Sequence, residues 1–190
     1  VVERQFLMAL NAKDWDRAMR YVEKNRELNL DGTQGRIAKG RVASARGMAL
    51  KDEATKLKEA RKDAEAEAKS KEAAEQFSQA IEQIKSGLDA YPNYSIGWTN
   101  LAEAYLGADR VDDCRNALQR ALDLDPTNGL ANRAMVQLKL NDGDEDGANE
   151  FLAKAVKALP NDPYLRQRLE AAEEKKKPLD GIKKREAIRE

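Results

Sequence analysis

Residues 95–128 constrain the fold of this chain more than any other stretch. Apolar residues recur there at helical spacing in two runs, which Gly107, Ala108 and Asp109 separate and Pro126 closes. Proline cannot continue the second helix, because it lacks a backbone N–H and its ring clashes with the preceding turn. The stretch therefore predicts two helices packed as an antiparallel hairpin. The two runs are Trp98, Leu101, Ala102 and Tyr105, then Val111, Cys114, Leu118, Ala121 and Leu122.

The order of large, small and aromatic residues in this hairpin resembles the 34-residue tetratricopeptide repeat (TPR). Cys114 departs from the pattern, because the family usually has alanine in its place. The resemblance implies an all-α fold, a right-handed helical solenoid of about four helix-turn-helix repeats with a C-terminal capping helix. The residues that match are Trp98, Leu101, Ala102, Tyr105, Ala121 and Pro126.

The same repeat frame accounts for most of the chain as one predicted domain, residues 1–174. The first repeat is a degenerate terminal one with a shortened first helix, in which Leu28 takes a buried place and Leu30 replaces the terminal proline. Gly40 stands where the second repeat requires a small residue. The predicted segments are residues 1–32, 33–94, 95–128 and 129–162, a capping helix at 163–174, and a charged tail at 175–190.

The second repeat contains about 28 extra residues, 47–74, relative to the 34-residue period. They include seven basic residues, seven acidic residues and eight alanines, without proline or an aromatic residue, so they favour helix over loop. We expect an inserted helical arm that lengthens each flanking helix by about 14 residues and has its tip near 60–64. A partly disordered loop and one continuous helix swapped onto another molecule are the alternatives. The predicted seam of the arm is Met48, Leu50, Ala54, Leu57, Ala64 and Ala68.

Composition removes several classes of function. The chain has 34 basic and 34 acidic residues, so no overall field attracts nucleic acid. No apolar run is long enough to span a membrane. With no histidine, the commonest general base and metal ligand is missing. We therefore predict a protein that is not an enzyme, holds no cofactor or metal, does not bind nucleic acid and has no membrane span in this chain.

Two further points concern a single cysteine and the start of the chain. Cys114 falls on the packing side of a helix, which predicts a buried structural thiol. The sequence does not begin with methionine, so we expect it to start inside a longer gene product. It does not indicate a cellular compartment.

One acidic turn imitates a calcium site. Asp142, Asp144, Asp146 and Gly147 reproduce the opening of an EF-hand loop. The glutamate required at the twelfth position of such a loop is replaced by Ala153. We interpret the turn as an ordinary helix start, where acidic residues act as caps.

The resemblance to TPR proteins implies a concave face, built from the first helix of each repeat, that grips a partner. Asn100 is the most suggestive residue there, since some family members use asparagine at that place to hold a peptide backbone. Chaperone-binding relatives clamp a terminal carboxylate with lysine and asparagine, and the corresponding places here do not match that set. The predicted partner-binding residues are Arg41, Thr99, Asn100, Glu103, Arg133, Gln137, Gln167 and Arg168.

These observations favour a scaffold that binds an extended peptide or a helix of a partner protein in this groove. One alternative is a structural protein whose inserted arm mediates homo-oligomerisation or docking into a larger complex. Another is a regulatory TPR module of a larger enzyme.

Overall fold

The computed structural model describes the backbone of residues 2–27 and 32–186, and the side chains of 4–24, 32 and 34–174. Over these residues the chain is all-α, which confirms the predicted fold class. Leu28 and Leu30 lie outside the described residues. The chain divides into two compact units, Val1–Leu124 and Asp125–Glu190; one domain over 1–174 stays a prediction.

Helical hairpins form both units. The first unit contains α1 (Val2–Asn11), α2 (Trp15–Glu27), α3 (Gly32–Glu59), α4 (Asp63–Ala90), α5 (Ser95–Gly107) and α6 (Val111–Leu124). The second contains α7 (Gly129–Asn141), α8 (Glu145–Ala158) and α9 (Pro163–Glu186). Helix α9 begins as the predicted cap and continues into the segment that the sequence separates as a charged tail.

The turn inside each hairpin has the same construction. One residue takes the left-handed conformation: Lys13 (φ 56°), Arg61 (φ 58°), Asp109 (φ 58°) or Gly143 (φ 78°). Its N–H donates to the carbonyl three residues earlier, and the next N–H donates to the carbonyl five residues earlier, at distances of 2.8 to 3.1 Å. These bonds pair carbonyls that a helix end otherwise leaves open. The arm therefore turns without glycine or proline, because its tip repeats the turn of the other hairpins.

The predicted arm is a hairpin of α3 and α4, each 28 residues long. Its seam differs in part from the predicted one. Ala54 is buried, but Met48 is 41% exposed, and Ala64 and Ala68 are exposed. The reason is that α4 turns one continuous stripe towards its neighbours along its whole length, and these two alanines lie off that stripe. Its buried residues are Ala66, Ala73, Phe77, Ala80, Ile84, Gly87 and Leu88.

Close approach between helices in the first unit depends on glycine. A Cβ added at Gly47 of α3 would lie 2.9 Å from the Phe77 ring, and one at Gly107 of α5 would overlap the same ring. Gly40 confirms the predicted need for a small residue, because its Cβ would overlap Ile84. Phe77 is therefore enclosed between two helices that carry no side chain at the point of contact.

A polar contact attaches the arm to the α5–α6 turn. The Lys51 ammonium donates to both carboxylate oxygens of Asp109, at 2.7 and 2.8 Å, and to the Gly107 carbonyl at 3.1 Å. The lysine thus binds the C-terminal end of α5, where a cation is favoured by the helix dipole.

The hairpin of residues 95–128 is packed as its pattern predicts. Leu101, Tyr105 and Leu118 are buried, and Trp98 is half-buried with its indole N–H donating to the Pro92 carbonyl at 2.8 Å. Cys114 is 1% exposed, and burial raises the pKa of its thiol to about 11. The thiol is therefore protonated at neutral pH and serves as a small apolar side chain.

Candidate functional site

Two of the three groove residues predicted on α5 are buried. Thr99 is 8% and Asn100 is 6% exposed, so the expected exposure of these two side chains is wrong, and their role in binding a partner stays a prediction. Helix α5 is packed on three sides, by α3, α4 and α6, which leaves little of its surface open. The Thr99 hydroxyl donates to the Ser95 carbonyl at 3.1 Å. Only Glu103, of the three residues predicted on this helix, is exposed.

Arg41 of α3 is half-buried and packs on the first helix of the chain. Its guanidinium lies 5.3 Å from the ring centroid of Phe6, which is buried. At this distance the cation is attracted by the ring face. The contact gives Arg41 a packing role in addition to any role in binding.

The second unit brings three of its four predicted residues into one polar cluster. The Tyr164 hydroxyl of α9 donates to the Gln137 side-chain oxygen of α7 at 2.7 Å, and the Gln137 amide donates to Asn141 at 2.9 Å. Arg133 and Arg168 both lie over the Tyr164 ring, at 5.0 and 5.7 Å from its centroid. We call Arg133, Gln137, Asn141, Tyr164 and Arg168 the α7–α9 surface. Gln167, the fourth predicted residue, is exposed on α9.

Asp162 organises this surface. Its Oδ1 accepts the Leu165 N–H at 3.0 Å, which caps α9, and its Oδ2 accepts the Arg133 Nε–H at 2.9 Å. The backbone N–H of Leu165, followed by the Arg133 cation, holds the pKa of this carboxyl below its usual range. Asp162 is thus ionised near neutral pH and offsets the charge of Arg133, which lies over the Tyr164 ring together with Arg168.

Chemically, the surface offers amide, phenol and guanidinium groups on the exposed sides of two helices. Such groups bind carbonyl and carboxylate oxygens and amide N–H groups of an extended chain. Tyr164 is absent from the predicted site because its sequence pattern assigns it only to the apolar, packing side of the capping helix. Its place four residues before Arg168 is the signal that links it to the exposed face.

The calcium-like turn is a helix cap. Asp144 Oδ1 accepts the Gly147 N–H at 2.9 Å, and its Oδ2 accepts from the Lys139 ammonium at 2.7 Å. The lysine, followed by the Gly147 N–H, lowers the pKa of Asp144. Within residues whose side chains are described, no group of three or more cysteine or acidic side chains is arranged to hold a metal ion.

A search for membrane-spanning helices gives a negative result for the part of the chain that the structure describes. None of those helices combines the length and the apolar character needed to cross a bilayer.

Comparison with known proteins identifies the repeat. Residues 95–128 match the tetratricopeptide repeat model. The structure of the MamA RS-1 ArsTM double mutant is similar with a TM-score of 0.50 and 18% identity, covering 83% of this chain and 72% of that chain. MamA 41-end from Desulfovibrio magneticus RS-1 has a TM-score of 0.42 and 16% identity, over 85% of this chain and 95% of that chain. The first TPR of Spaghetti (RPAP3), bound to HSP90 peptide SRMEEVD, has a TM-score of 0.46 and 18% identity, over 68% and 97%. No curated protein matches.

Residues 95–128 are therefore a tetratricopeptide repeat, and the resemblance predicted from the sequence is confirmed. The likeness to MamA, at 18% identity, is one of fold. Proteins built from such repeats are generally non-enzymatic interaction modules, so the repeat indicates protein–protein interaction as the class of function.

Proposed function

We propose that the chain is a non-enzymatic scaffold and that its α7–α9 surface holds an extended segment of a partner protein. The observation that supports this most is the Gln137–Tyr164–Arg168 arrangement, in which polar groups of two helices are positioned by each other. Groups fixed before binding lose less side-chain entropy when the partner arrives. The surface thus suits recognition of a polypeptide backbone.

The predicted residues of the first unit have a different place in this proposal. Arg41 and Glu103 remain candidates for direct contact with the partner. Because Thr99 and Asn100 are buried, we assign them to the packing of α5 and not to direct contact with the partner. Substitution of Asn100 would therefore mix a stability effect with any binding effect.

The test uses the full chain as bait in an extract of the source organism, followed by Kd measurement with the purified partner. Arg168→Glu and Gln137→Ala are the informative variants, because Arg133 is already paired with Asp162. We expect each to weaken binding about tenfold or more with an unchanged unfolding midpoint. Lys157→Glu, on the exposed side of α8, is the matched control and should bind normally. Wild-type affinity in both variants would refute the proposal.

A groove along the arm favours a second candidate, assembly with another copy of the chain. The groove has a volume of about 810 Å³ and runs between α4 and the α5–α6 turn. Its α4 wall includes the small exposed residues Ala74 and Ser78, over which a helix can approach closely. Sedimentation velocity tests this candidate. It predicts a dimer that Ala74→Glu with Ser78→Glu dissociates, and a monomer at every wild-type concentration would exclude it.

A further inference from the structure

The second unit contains an open apolar pocket beside the α7–α9 surface. Its volume is about 470 Å³, and its walls come from α7, α8 and α9. Its apolar lining residues are Val136, Leu140, Ala148, Leu152, Ala171 and Ala172, and Asn149 is a neutral polar one. Arg168, which stacks on Tyr164 in the α7–α9 surface, also borders the pocket. The two features are therefore continuous along α9.

In the first unit, an aromatic side chain occupies the position that corresponds to this pocket in the repeat frame. Phe77, Ala80 and Ile84 of α4 have the same spacing as Glu145, Ala148 and Leu152 of α8. The Phe77 ring is 1% exposed and lies against the next first helix at Gly107. In the second unit the corresponding residue is the exposed Glu145. The aromatic ring that closes one hairpin is thus replaced by a carboxylate in the other.

Burial of the surrounding positions agrees with this difference. Two first-unit positions of the repeat frame, Ser44 of α3 and Ala104 of α5, are 3% and 0% exposed. Their counterparts in the frame are Leu140 of α7 and Ala172 of α9, and both are only half-buried. Two positions that are buried in the first unit are therefore partly accessible in the second.

We propose that this pocket receives an aromatic side chain from the partner segment, in the place that Phe77 fills within the chain. The inference rests on the proposed function, in that the segment lies on the adjoining α7–α9 surface. The pocket is large enough, since a cavity of roughly 150 Å³ already holds a benzene ring. Burial of an aromatic side chain supplies a large apolar contact, which is typical of the anchor residues of interfaces.

The charges at the mouth define the neighbours of that aromatic residue. The charged residues that line the pocket are Glu145 and Asp146, in the first turn of α8, and Arg168 of α9. The Arg168 guanidinium is placed over the Tyr164 ring, 5.7 Å from its centroid. The two carboxylates therefore outweigh it, and complementarity favours lysine or arginine beside the aromatic residue. The ligand class is an aromatic residue with basic neighbours.

The test is a methyl NMR titration of the full chain with three capped tripeptides. Lys-Phe-Lys should shift the methyl signals of Val136, Leu140 and Leu152, while Leu118 in the first unit serves as an unshifted internal reference. Lys-Ala-Lys should leave all of them in place. Glu-Phe-Glu should bind several-fold more weakly than Lys-Phe-Lys. Equal shifts with Lys-Phe-Lys and Lys-Ala-Lys, or none with Lys-Phe-Lys, would overturn the proposal.

Variants locate the binding. Glu145→Phe places a ring where Phe77 stands in the first unit, and Ala172→Phe narrows the pocket from the opposite wall; either should weaken Lys-Phe-Lys binding about tenfold or more. Glu150→Phe adds the same ring on the exposed side of α8 and should not. Unchanged binding in both pocket variants would refute the assignment. Because these titrations need no partner, failure here is separate from failure of the Arg168→Glu and Gln137→Ala binding test.

Discussion

The α3–α4–α5 region and the α7–α8–α9 region share one repeat frame but differ in how they complete it. In the first, Phe77 is enclosed by Gly47 and Gly107, and the helices meet closely. In the second, Glu145 leaves an open pocket next to a polar surface. The comparison shows that one position of the repeat, three residues before a buried alanine, holds an enclosed ring in one hairpin and an exposed carboxylate in the other.

The largest expected effect is loss of the enclosed ring. Phe77→Ala should lower the free energy of unfolding of the first unit by about 3–5 kcal/mol, because it removes a buried aromatic side chain and leaves a cavity. Glu145→Ala at the equivalent exposed position should cost less than about 1 kcal/mol. For Phe77→Ala, urea unfolding is followed by the fluorescence of Trp15 and Trp98, which both lie in the first unit. Circular dichroism measures the unfolding of both variants. Equal losses of unfolding free energy in the two variants would contradict the difference described between the two regions.

The next test adds a methyl group where α5 contacts the Phe77 ring. Gly107→Ala should cost about 1–3 kcal/mol, since its Cβ would overlap the Phe77 ring. A Phe77→Leu change in the same chain should recover part of the loss, because the two side chains share one space. Gly35→Ala, whose Cβ would meet nothing within 4 Å, is the control and should be neutral or stabilising. A Gly107→Ala protein as stable as the wild type would contradict the close approach.

The cap of the α7–α9 surface gives a smaller, pH-dependent effect. Asp162→Ala should destabilise α9 by about 0.5–2 kcal/mol, the usual contribution of an N-cap. The pKa of Asp162 is lowered on folding, so its contribution is present above the unfolded pKa near 3.9 and is lost as pH falls through the lower folded value.

Thermal unfolding from pH 7 down to pH 2.5, followed by circular dichroism, checks this sign. The stability difference between wild type and Asp162→Ala should shrink below about pH 4. Asp162→Asn retains a capping oxygen and should lose only the ionic part. A difference that grows on acidification would contradict the assigned direction of the shift.

The smallest effect concerns the arm tip. Arg61→Gly should stabilise the chain by about 0.5–1 kcal/mol, because glycine removes the steric cost of the left-handed conformation but loses more entropy on folding. Lys58→Gly, in the last turn of α3, should instead destabilise by up to about 1 kcal/mol. Chemical unfolding of both variants compares them directly. If Arg61→Gly were as harmful as Lys58→Gly, the tip would not have the turn described for it.

Much of the fold could be predicted from the sequence because the buried positions of the repeat recur at a fixed spacing along the chain. The frame found the hairpins, the need for a small residue at Gly40, and the length and tip of the arm. It misjudged the arm seam at Ala64 and Ala68, since a stripe of alanines on a charged helix has no strong period. It also could not find Arg61 as the turn residue, because nothing in its side chain favours a left-handed conformation.

The candidate site was less accessible to sequence reasoning. Thr99 and Asn100 were assigned to an exposed face, but exposure depends on how closely α3 and α5 pack, which no local pattern records. Tyr164 was missed because it occupies an apolar position in the helical pattern. Its hydroxyl has a polar partner, Gln137, but that partner lies on another helix. Contacts between helices therefore decide the site, whereas spacing along one helix decides the fold.

Site-specific photocrosslinking tests the central claim most directly. A photoreactive phenylalanine analogue is placed at Gln137 or Arg168 on the α7–α9 surface, or at Lys157 on α8 as a control, and the chain is irradiated with its purified partner. The proposed function predicts crosslinked product from positions 137 and 168 and none from 157, with the crosslinks mapping to one segment of the partner. Crosslinking from 157 alone, or equally from all three positions, would contradict it.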